Sequence, residues 1–238
     1  MKRTWIPAFA GMTLATGMTM AAGMTLGFSV VAQEVAVDVG HYAAEPGVIS
    51  ASGVPEFEFN LALATDVRTE LEKNQLSVRL IGERGDYAVL HHRTRDARGA
   101  DLFVSIHHDS VKERFLPEAD RFAGFSLFIS RANPRLEKSL ACASTIGAKL
   151  RGAGFTPSRY HADPVFGAPR PFADEANGVH YYDNLAVART AAMPSVLVEA
   201  GVIVNREEER RMRDPEVRRR IAAAVAGGVR ECLAKEQH

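Results

Sequence analysis

The sequence predicts an α/β domain: a single, mostly parallel twisted sheet flanked by helices. Three observations predict it. Short runs rich in Val, Leu, Ile and Phe alternate with stretches of helical periodicity, the pattern of repeated strand–helix units. The strand runs are apolar at successive positions, as expected where both faces of a sheet are covered. Several of them then stop on a His, Asp or Glu, which a parallel sheet gathers along its carboxyl edge, where ligands bind.

The elements follow in order. "EVAVDVG" (34–40) is a first strand stopped by Gly40. Residues 57–74 place Phe59, Leu63, Val67 and Leu71 at helical spacing with charges between them. "LSVRLIGE" (76–83) is a second strand, and "YAVLHHRTRDARG" (87–99) a short helix ending at Gly99. "ADLFVSIHHDS" (100–110) delivers a third strand into His107, His108 and Asp109. "GFSLFIS" (124–130) is another strand, and Asn133-Pro134 an N-cap and first-turn pair for a helix to about Gly152. Residues 153–183, rich in Pro, Gly, aromatics and His, read as one long loop over an end of the sheet. "PSVLVEAG" (194–201) is the last strand, and Asp214-Pro215-Glu216 opens a final helix through Leu233.

The bulk numbers exclude some functions. The 238 residues carry 29 basic and 29 acidic side chains, so the basic excess of a nucleic-acid partner is missing. Lys2 and Arg3 are followed by no charge until Glu34, with Val30-Val31-Ala32 before Gln33. This reads as a secretory signal over residues 1–32, leaving 33–238 as an exported mature domain without a further membrane span. Taking Lys2 and Arg3 from 29 leaves 27 basic against 29 acidic residues, a net of −2. Cys142 and Cys232 both fall in predicted helices, and the sequence leaves open a disulfide or two buried thiols.

Asp38 and His41 follow the first strand, His107, His108 and Asp109 the third, and Glu199 interrupts the apolar last strand. A buried carboxylate is costly unless it is paired, protonated or near a metal. Two neutral imidazoles and a carboxylate form a known catalytic zinc set with a fourth position left for water. Neighbours on a strand face opposite ways, so His107 and His108 do not share one site, and periodicity alone leaves the choice between them open.

Four blocks, "VDVGH", "PEFEFNLALA", "ADLFVSIHHDS" and "PSVLVEAGVIVNREEE", stand in an order that resembles the zinc-dependent N-acetylmuramoyl-L-alanine amidases of the amidase-3 type, from about Val35 to the C-terminus. The resemblance implies Zn2+ held by His41, Glu56 and His107, with Glu199 as the catalytic carboxylate. Glu56 is preferred to Glu58 because the family glutamate stands five residues before the helix leucine, here Leu61. Asp38, Arg84, Arg93 and Asp109 would lie around this set. Asp38, or a backbone carbonyl, would fix the tautomer of His41, and the two arginines would hold peptide carboxylates or brace loops.

The implied substrate is the amide between N-acetylmuramic acid and L-alanine in peptidoglycan or muropeptides, with an activator protein as a possible partner. The chain departs from the family pattern at Tyr42-Ala43, Ala97-Arg98 and Val202, none of them a ligand position. Two other readings compete: a zinc peptidase or deacetylase on wall fragments, and a peptidoglycan-binding module without turnover. A structural reading of Glu199 is a buried ion pair with Arg189 or Arg93.

Overall fold

In the computed structural model of the protein, residues 1–2 and 33–235 are described. The expected signal segment, residues 1–32, lies almost wholly outside them. The sheet has seven strands, in the order β2-β1-β3-β7-β4-β6-β5. They are β1 (Glu34–Val39), β2 (Ser77–Ile81), β3 (Leu102–Asp109), β4 (Ser126–Ile129), β5 (Phe172–Asp174), β6 (Val179–Tyr181) and β7 (Ser195–Val202). Strands β2, β1, β3 and β7 run parallel, and β4 reverses direction against β7.

The helices are α1 (Glu56–Lys73), α2 (Leu90–Asp96), α3 (Leu136–Gly152), α4 (Ala186–Thr190), α5 (Arg206–Arg213) and α6 (Pro215–Ala234). Helices α1, α3 and α6 cover one face. There Val35, Val37 and Val39 of β1 join Leu63, Val67 and Leu71 of α1 and Ile221, Val225 and Val229 of α6 in the main core. The other face is more thinly covered, by α2, α4 and the segment before β7, around Ala36, Phe103, Phe128 and Leu197. The alternation of side chains along a strand therefore sorts β3 into a core row (Leu102, Val104, Ile106) and a front row that continues from Phe103 through Ser105 to His107 and Asp109.

Two expectations are corrected. Residues 153–183 are not only loop, because β5 and β6 within them extend the sheet. Asn133 does not cap a helix, since α3 begins at Leu136 with Arg135 as its N-cap residue. Instead the Asn133 amide donates to the carbonyls of Ala188, Ala191 and Met193, fastening the approach to β7. Asp214 does cap α6, accepting from the Glu216 N–H ahead of Pro215 at the first helical position.

The open pairing of the two cysteines is also decided. Cys142 of α3 and Cys232 of α6 form a disulfide. Among the described residues no helix is long and apolar enough to cross a membrane.

Candidate metal centre

The carboxyl ends of β1 and β3 deliver two histidines to the start of α1. His41 follows Gly40 with a positive φ of 66°, a turn that lifts its ring out of the strand direction. His107 occupies the front row of β3, and a side chain at Gly40 would strike its ring at 2.4 Å. The two rings meet edge to face, 5.0 Å apart.

Glu56 joins them from the first turn of α1, where the helix N-terminus favours a carboxylate. One oxygen, Oε2, lies 3.0 Å from His41 Nε2, and the other, Oε1, 3.1 Å from His107 Nδ1. The ligand atoms of the three residues all lie within 4.8 Å of one another. Burial works to raise the Glu56 carboxyl, but hydrogen bonding to His107 and His41 and their charges outweigh it and hold it below the usual carboxylate range. Glu58, the alternative on sequence grounds, is exposed.

Neighbouring groups fix this carboxylate. Asn60, one helical turn after Glu56, donates to Oε1 at 3.0 Å and to the Gly40 carbonyl at 3.2 Å. The Val48 N–H donates to Oε2 at 3.3 Å. His108 turns to the core face, against Phe59, with Nδ1 2.9 Å from Asn60 Oδ1. Burial drives its pKa down to about 4, so it is neutral. Gly47 closes the site: its φ is 81°, and a Cβ there would sit 2.4 Å from Glu56 Oε2.

Asp38 and Arg93 lie beneath the histidines as a fully buried ion pair, 2.7 Å apart. The expected contact from Asp38 to His41 is not made, because the carboxylate is taken by Arg93 and by the Ser105 hydroxyl. Arg93 acts on His41 by another route, donating to the backbone carbonyls of Val39, His41 and Tyr87. It braces the loop that carries His41. Arg84 is exposed, beside Asp86 at 3.3 Å, and does not join the cluster.

Glu199 pairs in register with His107 across β3 and β7, so the two side chains are neighbours on one face. Neither ion pair imagined for it forms: Arg93 is bound to Asp38 and Arg189 is exposed. Its Oε2 is sealed from solvent and has no hydrogen-bond partner among the described residues. Burial, then the charges of Asp109 and Glu56, raise its carboxyl well above the usual range, with Arg170 opposing.

Asp109 is held by the Tyr160 hydroxyl and by His161 Nε2 at 2.5 Å. Burial opposes its ionisation, but the charge of His161 and these hydrogen bonds hold its pKa down. The sequence gives Tyr160 and Arg170 no role and sets His161 and His180 only in the long 153–183 segment, open to substrate contact or to solvent, whereas the His161 side chain is buried against Asp109 and His180 is wholly buried. Histidine-rich composition was the only signal for them. For Asn60 the spacing from Glu56 was available.

The donor set fits a metal. Two imidazole nitrogens and a carboxylate converge from three separate elements, the ligand chemistry of a catalytic zinc site with one position left open. Residues 35–231 match the family model of N-acetylmuramoyl-L-alanine amidase. The chain is 28% identical to N-acetylmuramoyl-L-alanine amidase AmiA of Escherichia coli over 217 residues, covering 82% of this chain and 74% of that protein. Among solved structures it resembles the catalytic domain of CwlV, an N-acetylmuramoyl-L-alanine amidase from Bacillus (Paenibacillus) polymyxa, at 28% identity and a TM-score of 0.67, covering 85% and 98% of the two chains. The N-acetylmuramoyl-L-alanine amidase of Clostridium difficile 630 shares the fold at a TM-score of 0.71 and 21% identity, covering 86% and 98%. A family match over most of the chain, reached independently of the cluster on β1, β3 and α1, settles its kinship: the chain belongs to the N-acetylmuramoyl-L-alanine amidase family.

Proposed function

We propose that His41, Glu56 and His107 hold a zinc ion, and that Glu199 serves beside them as the proton carrier in hydrolysis of the amide between N-acetylmuramic acid and L-alanine of peptidoglycan or muropeptides. The observation that carries this is the Glu56 carboxylate spanning two imidazoles, with the buried Glu199 carboxyl, in register with His107, on the next strand. The ion, when bound, supplies Lewis acidity toward the scissile carbonyl and toward water.

The protein's own groups do the rest. Glu199 takes the proton of the attacking water on its carboxylate and passes it to the leaving amine of L-alanine. A carboxyl whose affinity for a proton is raised by burial is suited to both halves of that task. Arg93 and Asn60 hold the backbone of the His41 turn and the Glu56 oxygen in place, so little reorganisation accompanies binding. An activator is tested by adding it to the isolated chain.

Export is part of the same reading. Lys2 and Arg3 ahead of an uncharged stretch, and a disulfide between α3 and α6, both suit a chain that works in an oxidising compartment. N-terminal sequencing of the protein recovered from the periplasm should begin at Gln33, and recovery of the uncleaved chain from the cytosol would contradict it.

The decisive experiment incubates residues 33–238 with defined muropeptides, with and without added zinc, and reads products by mass spectrometry. Intact stem peptide beginning at L-alanine should appear only with the metal, and Glu199→Gln should lose about 10²–10⁴-fold in kcat while still binding zinc. Cleavage within the peptide, or loss of acetyl groups, would make the protein a peptidase or deacetylase. Tight zinc and muropeptide binding with no product would make it a binding module.

A further inference from the structure

A cavity of about 280 Å³ lies beside the proposed centre, on the front face of the sheet. One wall, Ser110 to Lys112, continues β3 directly past His107 and Asp109. Its floor is His161, Arg170 and Tyr182, and Phe115 and Phe166 line its outer side. No acidic side chain lines it. Asp109 lies next to it, but its oxygens are occupied by Tyr160, His161 and the Ser110 N–H.

Two cations reach the cavity with no ion pair to a carboxylate among the described residues, though the charge of Arg170 also acts on Glu199. Arg170 stacks over the Tyr182 ring at 4.1 Å and the Phe128 ring at 4.9 Å, and its Nη1 lies 3.1 Å from His161 Nδ1. Its backbone is fastened on both sides, the N–H donating to the His161 carbonyl at 2.7 Å and the carbonyl facing His180 Nδ1 at 2.9 Å. Lys112 lies across Gly167, where a Cβ would come within 2.7 Å of Nζ, and makes no ion pair among the described residues. A guanidinium fixed on aromatic rings, with donors left over, is a preformed carboxylate receptor.

Spacing selects the ligand. From His107 to Ser110 is about 10 Å along an extended strand. Two extended peptide residues span about 7 Å, and a carboxylate branch covers the remainder. We propose that Arg170 and Lys112 bind the free carboxylate of the second residue of the stem peptide, two residues beyond the cleaved amide. This rests on the amidase reading. It gives the carboxylate-holding role to Arg170 and Lys112, whereas Arg84 is exposed and Arg93 is paired with Asp38.

The test compares N-acetylmuramoyl-L-alanyl-D-glutamic acid with its amide, N-acetylmuramoyl-L-alanyl-D-isoglutamine, on the full mature chain. Binding is read by calorimetry on the metal-free protein and hydrolysis on the zinc-loaded protein. The acid should bind about 10-fold or more tightly than the amide, and Arg170→Gln should erase that preference. Lys112→Met, an exposed substitution that leaves the fold intact, should reduce the preference through KM and not kcat. Equal binding of acid and amide by the wild-type chain would overturn the proposal, as would an acid preference that survives in both variants. Hydrolysis of neither ligand, with the acid preference in binding intact, would count against the amidase reading and leave the carboxylate site standing.

Discussion

Gly47 offers a way to disturb the proposed metal centre without touching a ligand. Its backbone sits at φ 81°, and a methyl group there would stand 2.4 Å from Glu56 Oε2 and 2.7 Å from His41 Cδ2. Two costs follow from Gly47→Ala. The left-handed backbone costs about 1–2 kcal/mol for a residue with a Cβ, partly offset by the smaller entropy of the unfolded chain. The clash then forces the carboxylate back by about 1 Å to reach an ordinary contact near 3.5 Å. Such a shift is comparable to losing a group that orients a ligand, and zinc affinity should fall about 10–100-fold.

Gly53 separates the two costs, because its φ is 90° and nothing lies within 4 Å of a Cβ built there. Gly53→Ala should therefore lose about the same folding stability in urea and keep wild-type affinity. The assay is a competitive chelator titration of zinc beside urea unfolding of the metal-free proteins. If Gly47→Ala binds zinc as tightly as Gly53→Ala, the Glu56 oxygen facing Gly47 is not a ligand atom.

Three further outcomes are expected. Glu199 keeps its proton in the folded chain above the pH at which the unfolded chain releases it, so its burial subtracts stability as pH rises past about 4.5. The metal-free Glu199→Gln protein should then be the more stable at pH 7, with the advantage vanishing below pH 4 in urea titrations at both values; a pH-independent difference would refute the burial argument. Asp38→Ala leaves the guanidinium of Arg93 buried without its partner and should cost about 3–5 kcal/mol in urea unfolding, whereas a loss under 1 kcal/mol would mean that the pair is dispensable. The disulfide closes a loop spanning 90 residues, a constraint worth about 4–5 kcal/mol in the chain-entropy model, so reduction or Cys142→Ala/Cys232→Ala should lower the Tm by about 10 °C or more; an unchanged Tm would show that the bridge adds no stability.

The parts legible in the sequence are those whose signals are local. Apolar runs marked β1, β2, β3, β4 and β7, and the spacing of Phe59, Leu63, Val67 and Leu71 marked α1, because burial imposes the period directly. Strands β5 and β6 have three residues each, too few for any period to show; β4 offers an edge to β6, and β6 in turn to β5. Asn133 reads as a cap from its neighbour Pro134, and its Oδ1 does accept locally from the Arg135 N–H, yet its amide N–H groups donate to carbonyls 55 to 60 residues away.

The site divides in the same way. His41, Glu56 and His107 stand in blocks that a resemblance can carry, and the same resemblance was needed to choose His107 over His108, because the two faces of the strand show only that they part. Asp38 and Arg93 were associated with the site, but which atom each one grips depends on how α2 docks against β1. The burial of His161 and His180 depends on cover from Phe128, Arg170 and Phe172, and no window of sequence around either histidine contains all of it.

The strands carrying His107 and Glu199 are parallel neighbours in the sheet, yet residues 110–194 separate them in the chain. That whole stretch leaves from one strand and returns beside it, bringing with it the reversed part of the sheet, the aromatic floor and both unpaired cations. It is a single uninterrupted graft whose two ends are fixed by the register of β3 on β7. Exchange of this graft for that of a relative leaves the three proposed ligands and Glu199 on their own backbone. If the proposed roles hold, substrate preference can be swapped with this stretch while the proposed ligands and Glu199 stay in place, provided the graft keeps the Cys142 partner of Cys232.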